Sequence, residues 1–325
     1  MKTINVIATT ISGSIKDWRK IGSIENEFKK NYLGKINVCI VNSHKEAYEK
    51  TAELVRQGEN TFVSAGGAGT FNSVLEGSRT RHGFPEEYRL AFLRKGSADL
   101  MGKVLGISDD LSSAVRTITE SIRQDRNIES DVIEIEINKT KRHFIGFGGI
   151  GIMGIVPFFT ENRFIKYYKG FLGYFFGDRG PFFVGANLAL LKYYRDTAIK
   201  KHAFYVTIDS EVKIKGVFSN IIIMNGDLGE DMPLAKGMRF DAGDFKVIFL
   251  EDLGIINAYR QFVHAWKGDL EENKEKYGVK TFFARKLEIS PAEQQKYMVN
   301  IDGLLETTNG AILYKISDRV KLITG

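Results

Sequence analysis

Thr61 to Gly77 reads TFVSAGGAGTFNSVLEG: an apolar run, then Gly66, Gly67 and Gly69 in quick succession, then Thr70 and a segment of helical character. A glycine turn at the carboxyl end of a strand lets backbone amides approach a phosphate, and the helix behind it adds partial positive charge. The same glycines suit a tight strand-to-helix turn that binds nothing, so this stretch alone leaves both readings open. Either way it is a strand entering a helix, which is the unit of an α/β fold.

The neighbouring sequence repeats that unit. Residues 4 to 10 (INVIATT), 36 to 42 (INVCIVN), 61 to 65 (TFVSA) and 89 to 93 (RLAFL) are short β-branched or apolar runs. Between them, His44 to Arg56 places Ala47, Ala52, Leu54 and Val55 on one helical face. Strands alternating with helices require crossovers, and crossovers give a parallel sheet covered on both sides. A second strand-to-glycine transition follows at Phe92 to Asp99 (FLRKGSAD), and two adjacent strand ends would form the ligand crevice of a doubly wound domain. Arg94 and Lys95 either face phosphate there or are solvated loop cations.

Past a helix expected over Asp109 to Arg123, the pattern changes. From Glu129 onward the chain shows alternating segments with few intervening helices. In VIEIEIN, Val132, Ile133, Ile135 and Ile137 mostly alternate with Glu134, Glu136 and Asn138, as in a strand with one wet face. Helical stretches are expected near Arg163 to Phe175, Val184 to Lys200 and Gly254 to Tyr277. The chain is therefore read as α/β plus β. Residues 1–128 form a doubly wound parallel-sheet domain, and 129–315 form a mainly antiparallel β-sandwich domain.

Composition bounds the function. The 325 residues, 43% apolar, suffice for two cores and exclude a disordered or collagen-like chain. Cys39 is the only cysteine, which excludes a disulfide scaffold, fits a reducing compartment, and is read as packing in a buried strand. No signal-peptide pattern opens the sequence, and the longest uncharged stretch, Phe144 to Thr160, is broken by five glycines and Pro157. A cytoplasmic protein is expected, with peripheral attachment to the inner face of a membrane left open. The net charge of +6 favours an anionic partner or is merely a mildly basic surface. His44, His82, His143, His202 and His264 show no metal-ligand spacing, and neither a G-x-S-x-G elbow nor a Walker A lysine is present. Basic residues follow no recognition pattern for nucleic acid, and no nucleic-acid partner is expected.

At this point the residues resemble the diacylglycerol kinase catalytic domain family, which includes bacterial lipid kinases and sphingosine kinases and is distantly related to NAD kinases. The family's GGDGT loop is similar to Gly66 Gly67 Ala68 Gly69 Thr70, with Asn72 and Gly77 following in place. Its GTxND block and LGI resemble Gly96 Ser97 Ala98 Asp99 Leu100 and Leu105 Gly106 Ile107. Further along, FGGIGIMG, KGFLGY, the stretch Asn225 to Phe245 and Ile301 Asp302 Gly303 resemble later family segments in order. The resemblance implies an ATP-dependent kinase acting on a diacylglycerol-like or sphingoid lipid, with Mg2+, in phospholipid metabolism. It implies phosphates held at Gly66, Gly67, Gly69, Thr70, Asn72, Gly96 and Ser97, and a last strand near 316–325 returning to the first domain. A lipid is then the expected partner, with contact to an anionic membrane and a homodimer left open.

The departures fall on acids. Ala68, Leu100, Ala242 and Leu304 stand where the family carries carboxylates. Phosphoryl transfer needs a carboxylate to take the acceptor's proton or to hold metal, which alanine and leucine cannot do. Asp99 and Asp302 are the catalytic candidates that remain, with Asp131, Asp231, Asp241 and Glu306 as further acids, and the metal ligands are unassigned. The alternative is a catalytically weakened relative that binds nucleotide or lipid in a regulatory role. From Pro157 to Phe183, aromatic residues interleave with Arg163, Lys166, Lys169 and Arg179, which suits a lipid boundary, an acyl pocket or an ordinary aromatic core.

Overall fold

The computed structural model describes residues 2–10, 15–94, 100–160, 180–198 and 201–325. The chain forms two compact units, Met1–Val132 with Asp318–Gly325, and Ile133–Ser317.

In the first unit β1 (Ile4–Thr9), α1 (Ile15–Asn31), β2 (Ile36–Val41), α2 (His44–Arg56), β3 (Thr61–Gly66), α3 (Ala68–Gly77), β4 (Arg89–Arg94), α4 (Leu100–Val104) and α5 (Leu111–Gln124) follow one another. The strands pair in parallel in the order β4, β3, β1, β2, with Phe62 opposite Leu90 and Val63 opposite Val6. The C-terminal strand adds to β4, also in parallel, through Lys321 opposite Arg89 and Leu322 opposite Leu90. β1 and β3 are buried at every position, as strands covered on both faces must be. Cys39, expected in a buried strand, is only half-buried, because β2 is the edge strand of this sheet.

The chain moves one way through β1–α1–β2 and the opposite way through β2–α2–β3 and β3–α3–β4. Right-handed crossovers then place α1 on one face and α2 with α3 on the other. The packing agrees, with α1 against α5 and α2 against α3. Ser43 caps α2 by accepting the Glu46 amide at 3.0 Å, and Asp110 caps α5 by accepting the Ser113 amide at 2.8 Å. Asp110 thus precedes the helix instead of lying in its first turn.

The second unit takes the rest of β5 (Asn127–Ile137), then β6 (Thr140–Phe144), β7 (Phe147–Gly151), α6 (Ile152–Thr160), α7 (Gly180–Asp196), β8 (Ala203–Ile208), β9 (Val212–Met224) and β10 (Phe245–Glu251). α8 (Ile255–Lys267), α9 (Lys274–Tyr277), β11 (Val279–Ala284), β12 (Lys286–Pro291), β13 (Tyr297–Ile301), β14 (Leu304–Thr308) and most of β15 (Ile312–Ile323) complete it. Pairing within this unit is antiparallel. β9 is its hub. The first half, Val212–Val217, pairs with β8 and is partly exposed, whereas the second half runs between β7 and β10 and is buried. Phe144, Ile221, Ile223, Phe249, Leu287 and Tyr314 share the resulting core.

A helical layer packs around Ile152, Ala189, Tyr193 and Ala258. The ring of Phe183 meets that of Phe262 at 6.1 Å, and Tyr194 donates to Asp252 at 3.0 Å, so α7 and α8 run antiparallel. The single helix expected to reach Tyr277 ends at Lys267, because Gly268 adopts φ 76° and provides a left-handed cap. The helix expected near Arg163 to Phe175, and most of the aromatic segment, lie outside the described residues. Among those described, no helix is long and apolar enough to cross a membrane.

Since Ile223 is fully buried where β9 is sandwiched, Ile223→Ala should lower the unfolding free energy by about 3 kcal/mol in a urea titration.

Candidate functional site

The direction of chain travel reverses between β1 and β3, so the carboxyl ends of these two strands form the switch point where open α/β sheets bind ligands. β3 ends there at Gly66. A Cβ on Gly66 would lie 2.7 Å from both Thr70 Cβ and Thr9 Cγ2, so strand ends and helix start are in direct contact. Gly67 is the N-cap of α3, extended at φ −95° and ψ −173°, and among the described residues no side chain caps this helix. The amides of its first turn therefore point outward from a backbone that a ligand can approach closely. Thr70 Oγ1 and Ser64 Oγ, both on fully buried residues, have no hydrogen-bond partner among the described residues.

Gly66, Gly67, Gly69, Thr70 and Asn72 thus sit together on one turn and the two helical turns that follow, with Asn72 buried in α3. Gly77, by contrast, serves packing: a Cβ there would lie 2.5 Å from Tyr48 O of α2. Ala68, in place of the family's acid, is exposed at the first position of the helix. Gly96, Ser97 and Asp99 lie outside the described residues, as does Lys95; Leu100, half-buried, opens α4.

His44 is a neighbour that sequence reasoning passed over as a scattered histidine. A Cβ on Gly69 would come within 2.6 Å of His44 Cε1, which places the imidazole beside the glycine turn. The available signal was positional. His44 begins the helix after β2, and β2 pairs with β1, so its carboxyl end opens on the same edge of the sheet.

Asp302 belongs to the second unit. With Gly303 it forms the two-residue turn between β13 and β14, at φ 50° and 87°, where Asp-Gly is the sequence that a type I′ hairpin prefers. Burial pushes its carboxyl up to about 6, against the backbone amides of Phe147, Gly146 and Ile145, which bond to it and favour the charged form. Its own amide donates to Phe147 O at 2.8 Å. The carboxyl therefore ties this hairpin to the turn between β6 and β7.

The other acids also have partners. Asp131 accepts from Arg319 at 2.8 Å, Asp241 binds Arg239 through both oxygens, and Glu306 pairs with Arg142 at 3.4 Å. Asp231 ends a single 3-10 turn, Gly229–Asp231. Among the described residues, no three His, Cys, Asp or Glu side chains converge on a metal-sized site.

The second unit also contains a narrow apolar cleft, open to solvent, between α6, α7 and α8. Val156, Leu190, Ile222, Leu234, Phe262 and Trp266 line it, with Asn187, Asn220 and Asp231 as its polar members. Asn220 is committed to structure, accepting the Met153 amide at 2.7 Å. A cleft of this composition suits a hydrocarbon chain.

Comparison with known proteins supports the resemblance. Residues 3–133 match the family described as the diacylglycerol kinase catalytic domain. A diacylglycerol kinase of Staphylococcus saprophyticus is 26% identical over 134 residues, which make up 39% of this chain and 40% of that protein. The similarity in sequence thus spans less than half of either. A solved diacylglycerol kinase structure from Bacillus anthracis superposes with a TM-score of 0.67 at 16% identity, covering 100% of this chain and 97% of the other. An NAD kinase from Archaeoglobus fulgidus, solved in complex with ATP, gives 0.53 at 10% identity, covering 100% and 94%. At these identities the structural likeness is one of fold: an N-terminal parallel α/β sheet with an antiparallel, strand-rich C-terminal region.

The buried Asp302 makes a pH prediction. Its native carboxyl holds a proton more tightly than the unfolded chain does near pH 4, so its stabilising contribution is full below that pH and is lost as pH rises through about 6. The unfolding free energy of the wild type relative to Asp302→Asn should fall by on the order of 2–3 kcal/mol between pH 4 and 7. A difference that is flat with pH would show that the carboxyl is not perturbed.

Proposed function

We propose that this protein transfers the γ-phosphoryl group of ATP to the hydroxyl of a lipid of diacylglycerol or sphingoid type. The observation that carries the reading is the β3–α3 turn. Its glycine leaves no room for a Cβ, and among the described residues no side chain caps the helix start and the buried Thr70 hydroxyl beside it lacks a partner. These features fit phosphate oxygens, which accept from amides and hydroxyls and are drawn to the positive end of a helix. The turn also lies within the stretch that matches the diacylglycerol kinase family.

In the reaction, the lipid oxygen forms a bond to the γ-phosphorus as the bridging bond to the β-phosphate oxygen breaks, and ADP departs. The hydroxyl proton passes to a base, for which Asp99 is the candidate. Mg2+, when bound, would neutralise charge on the phosphates, held mainly by phosphate oxygens and water with one or two carboxylates. Among the described residues no carboxylate cluster stands ready for it, and its protein ligands are unassigned. The apolar cleft beside α8 would take the acyl or sphingoid chain.

Calorimetric titration with ATP, with and without Mg2+, tests the nucleotide half of this reading. Gly67→Val is the informative variant, because its extended backbone accepts a branched residue while the added side chain crowds the amides of α3. ATP affinity should fall at least about tenfold with the fold intact. Unchanged affinity would place the phosphates elsewhere. Transfer of labelled phosphate to dispersed diacylglycerol or sphingosine then tests the chemistry, and ATP binding without transfer to any lipid would favour a regulatory nucleotide binder.

A further inference from the structure

We propose that His44 is a phosphate contact of the β3–α3 turn and that its imidazolium meets the charge of the bound anion. The proposal deepens the nucleotide reading of that turn and rests on it, while its test needs neither ATP nor lipid.

Gly69 is the second residue of α3 and lies outside the left-handed region, so it does not need glycine's conformational freedom. What a side chain there would meet is His44. The three atoms nearest to a Cβ on Gly69 all belong to its ring, with Cε1 at 2.6 Å, Nε2 at 2.7 Å and Nδ1 at 3.4 Å. The missing side chain at position 69 thus makes room for the imidazole. The Cε1–Nε2 edge of the ring abuts the turn whose amides and Thr70 hydroxyl fit phosphate. Packing of α2 on α3, with Tyr48 O close to Gly77 further along, keeps the two helix starts side by side.

Little else beside the ring can balance phosphate charge. Gly66–Gly77 carries one ionisable side chain, Glu76, which lies two turns beyond Gly69. The ends of β1 and β3 contribute Thr9 and Ser64. On α2, Lys45 is exposed 3.7 Å from Glu49, Glu46 turns back to accept the Asn42 amide at 2.7 Å, and Tyr48 stands exposed one turn on. His44 is the basic side chain that the structure sets against the glycines.

His44 is also the first residue of α2, so two helix starts meet at its ring. Each is the positive end of a helix dipole, which opposes a proton on the imidazole. A phosphate at the turn reverses that, because its charge favours the imidazolium and a hydrogen bond between ions is stronger than a neutral one. Anion and proton therefore bind together, each tightening the other by the same factor. Affinity for the polyphosphate then rises as pH falls through the imidazole range.

The test is a pH titration of the histidine ring signals by NMR, on the full chain with and without saturating inorganic tripolyphosphate and without Mg2+. The chain has five histidines, and the His44 signal is the one that His44→Gln removes. Its midpoint should rise by about one pH unit with the anion present. In calorimetry, the ratio of wild-type to His44→Gln affinity for tripolyphosphate should be about fivefold larger at pH 6 than at pH 8. Gly69→Ala offers a second variant, since alanine favours the helix while its methyl takes the place of the ring. There the rise in midpoint should disappear with helix content kept. A His44 signal that the anion does not move, an affinity ratio flat with pH, or a rise that persists in Gly69→Ala would overturn the proposal. None of these would touch the kinase reading, which stands or falls on phosphate transfer to lipid.

Discussion

No heavy atom can be added to Gly66. Its α-carbon sits where the ends of β1 and β3 and the first turn of α3 converge, and even a methyl group would overlap Thr9 and Thr70. That single close approach fixes how the strand passes into the helix, and hence where the first-turn amides point. A phosphate site built this way is made of backbone, with side chains confined to its margin. Substitution at the exposed position 68 changes the charge near such a site without dismantling it, and so a chain with alanine there can keep the architecture while altering the chemistry.

Much of this was legible in the sequence because it is local. β1 and β3 are largely apolar and rich in β-branched residues, and glycines at the end of β3 announce a turn where a side chain on Gly66 would not fit. The order of strands is not local, and the misreadings follow from that. Cys39 lies in a run as apolar as its neighbours, yet β2 is at the edge and its thiol is half-buried. His44 looked isolated because only the pairing of β2 with β1 brings the start of α2 to the glycine turn. The break after Lys267 was written in Gly268, but periodic residues on either side of it hid the stop.

The acids show how motif resemblance and physical role can part. Asp302 and Gly303 resemble a family segment, and the structure gives them a sufficient local reason to be Asp-Gly: both residues occupy left-handed backbone in a two-residue hairpin. The carboxyl then points inward to three amides and not to solvent. Replacing it with an apolar group would leave those donors to find other partners in a dry site. Asp241 and Glu306 are likewise held by Arg239 and Arg142. Resemblance singles such residues out, while their hydrogen bonds show what holds each in this chain.

α8 presents the converse case, in which packing leaves something unexplained. Its inner face is fully accounted for. Ala258 is buried in the helical layer, and the buried Gln261 donates to Glu251 O at 2.9 Å and Tyr277 O at 2.7 Å while accepting from Ser219 at 3.0 Å. These contacts orient the helix and would do so whatever stood at position 256. Scattered exposed apolar residues are ordinary on a protein surface, but here Leu253, Ile255, Ile256 and Tyr259 crowd one helix end beside the exposed Arg260. Their exposure means that they add little to the packing that sets the helix in place.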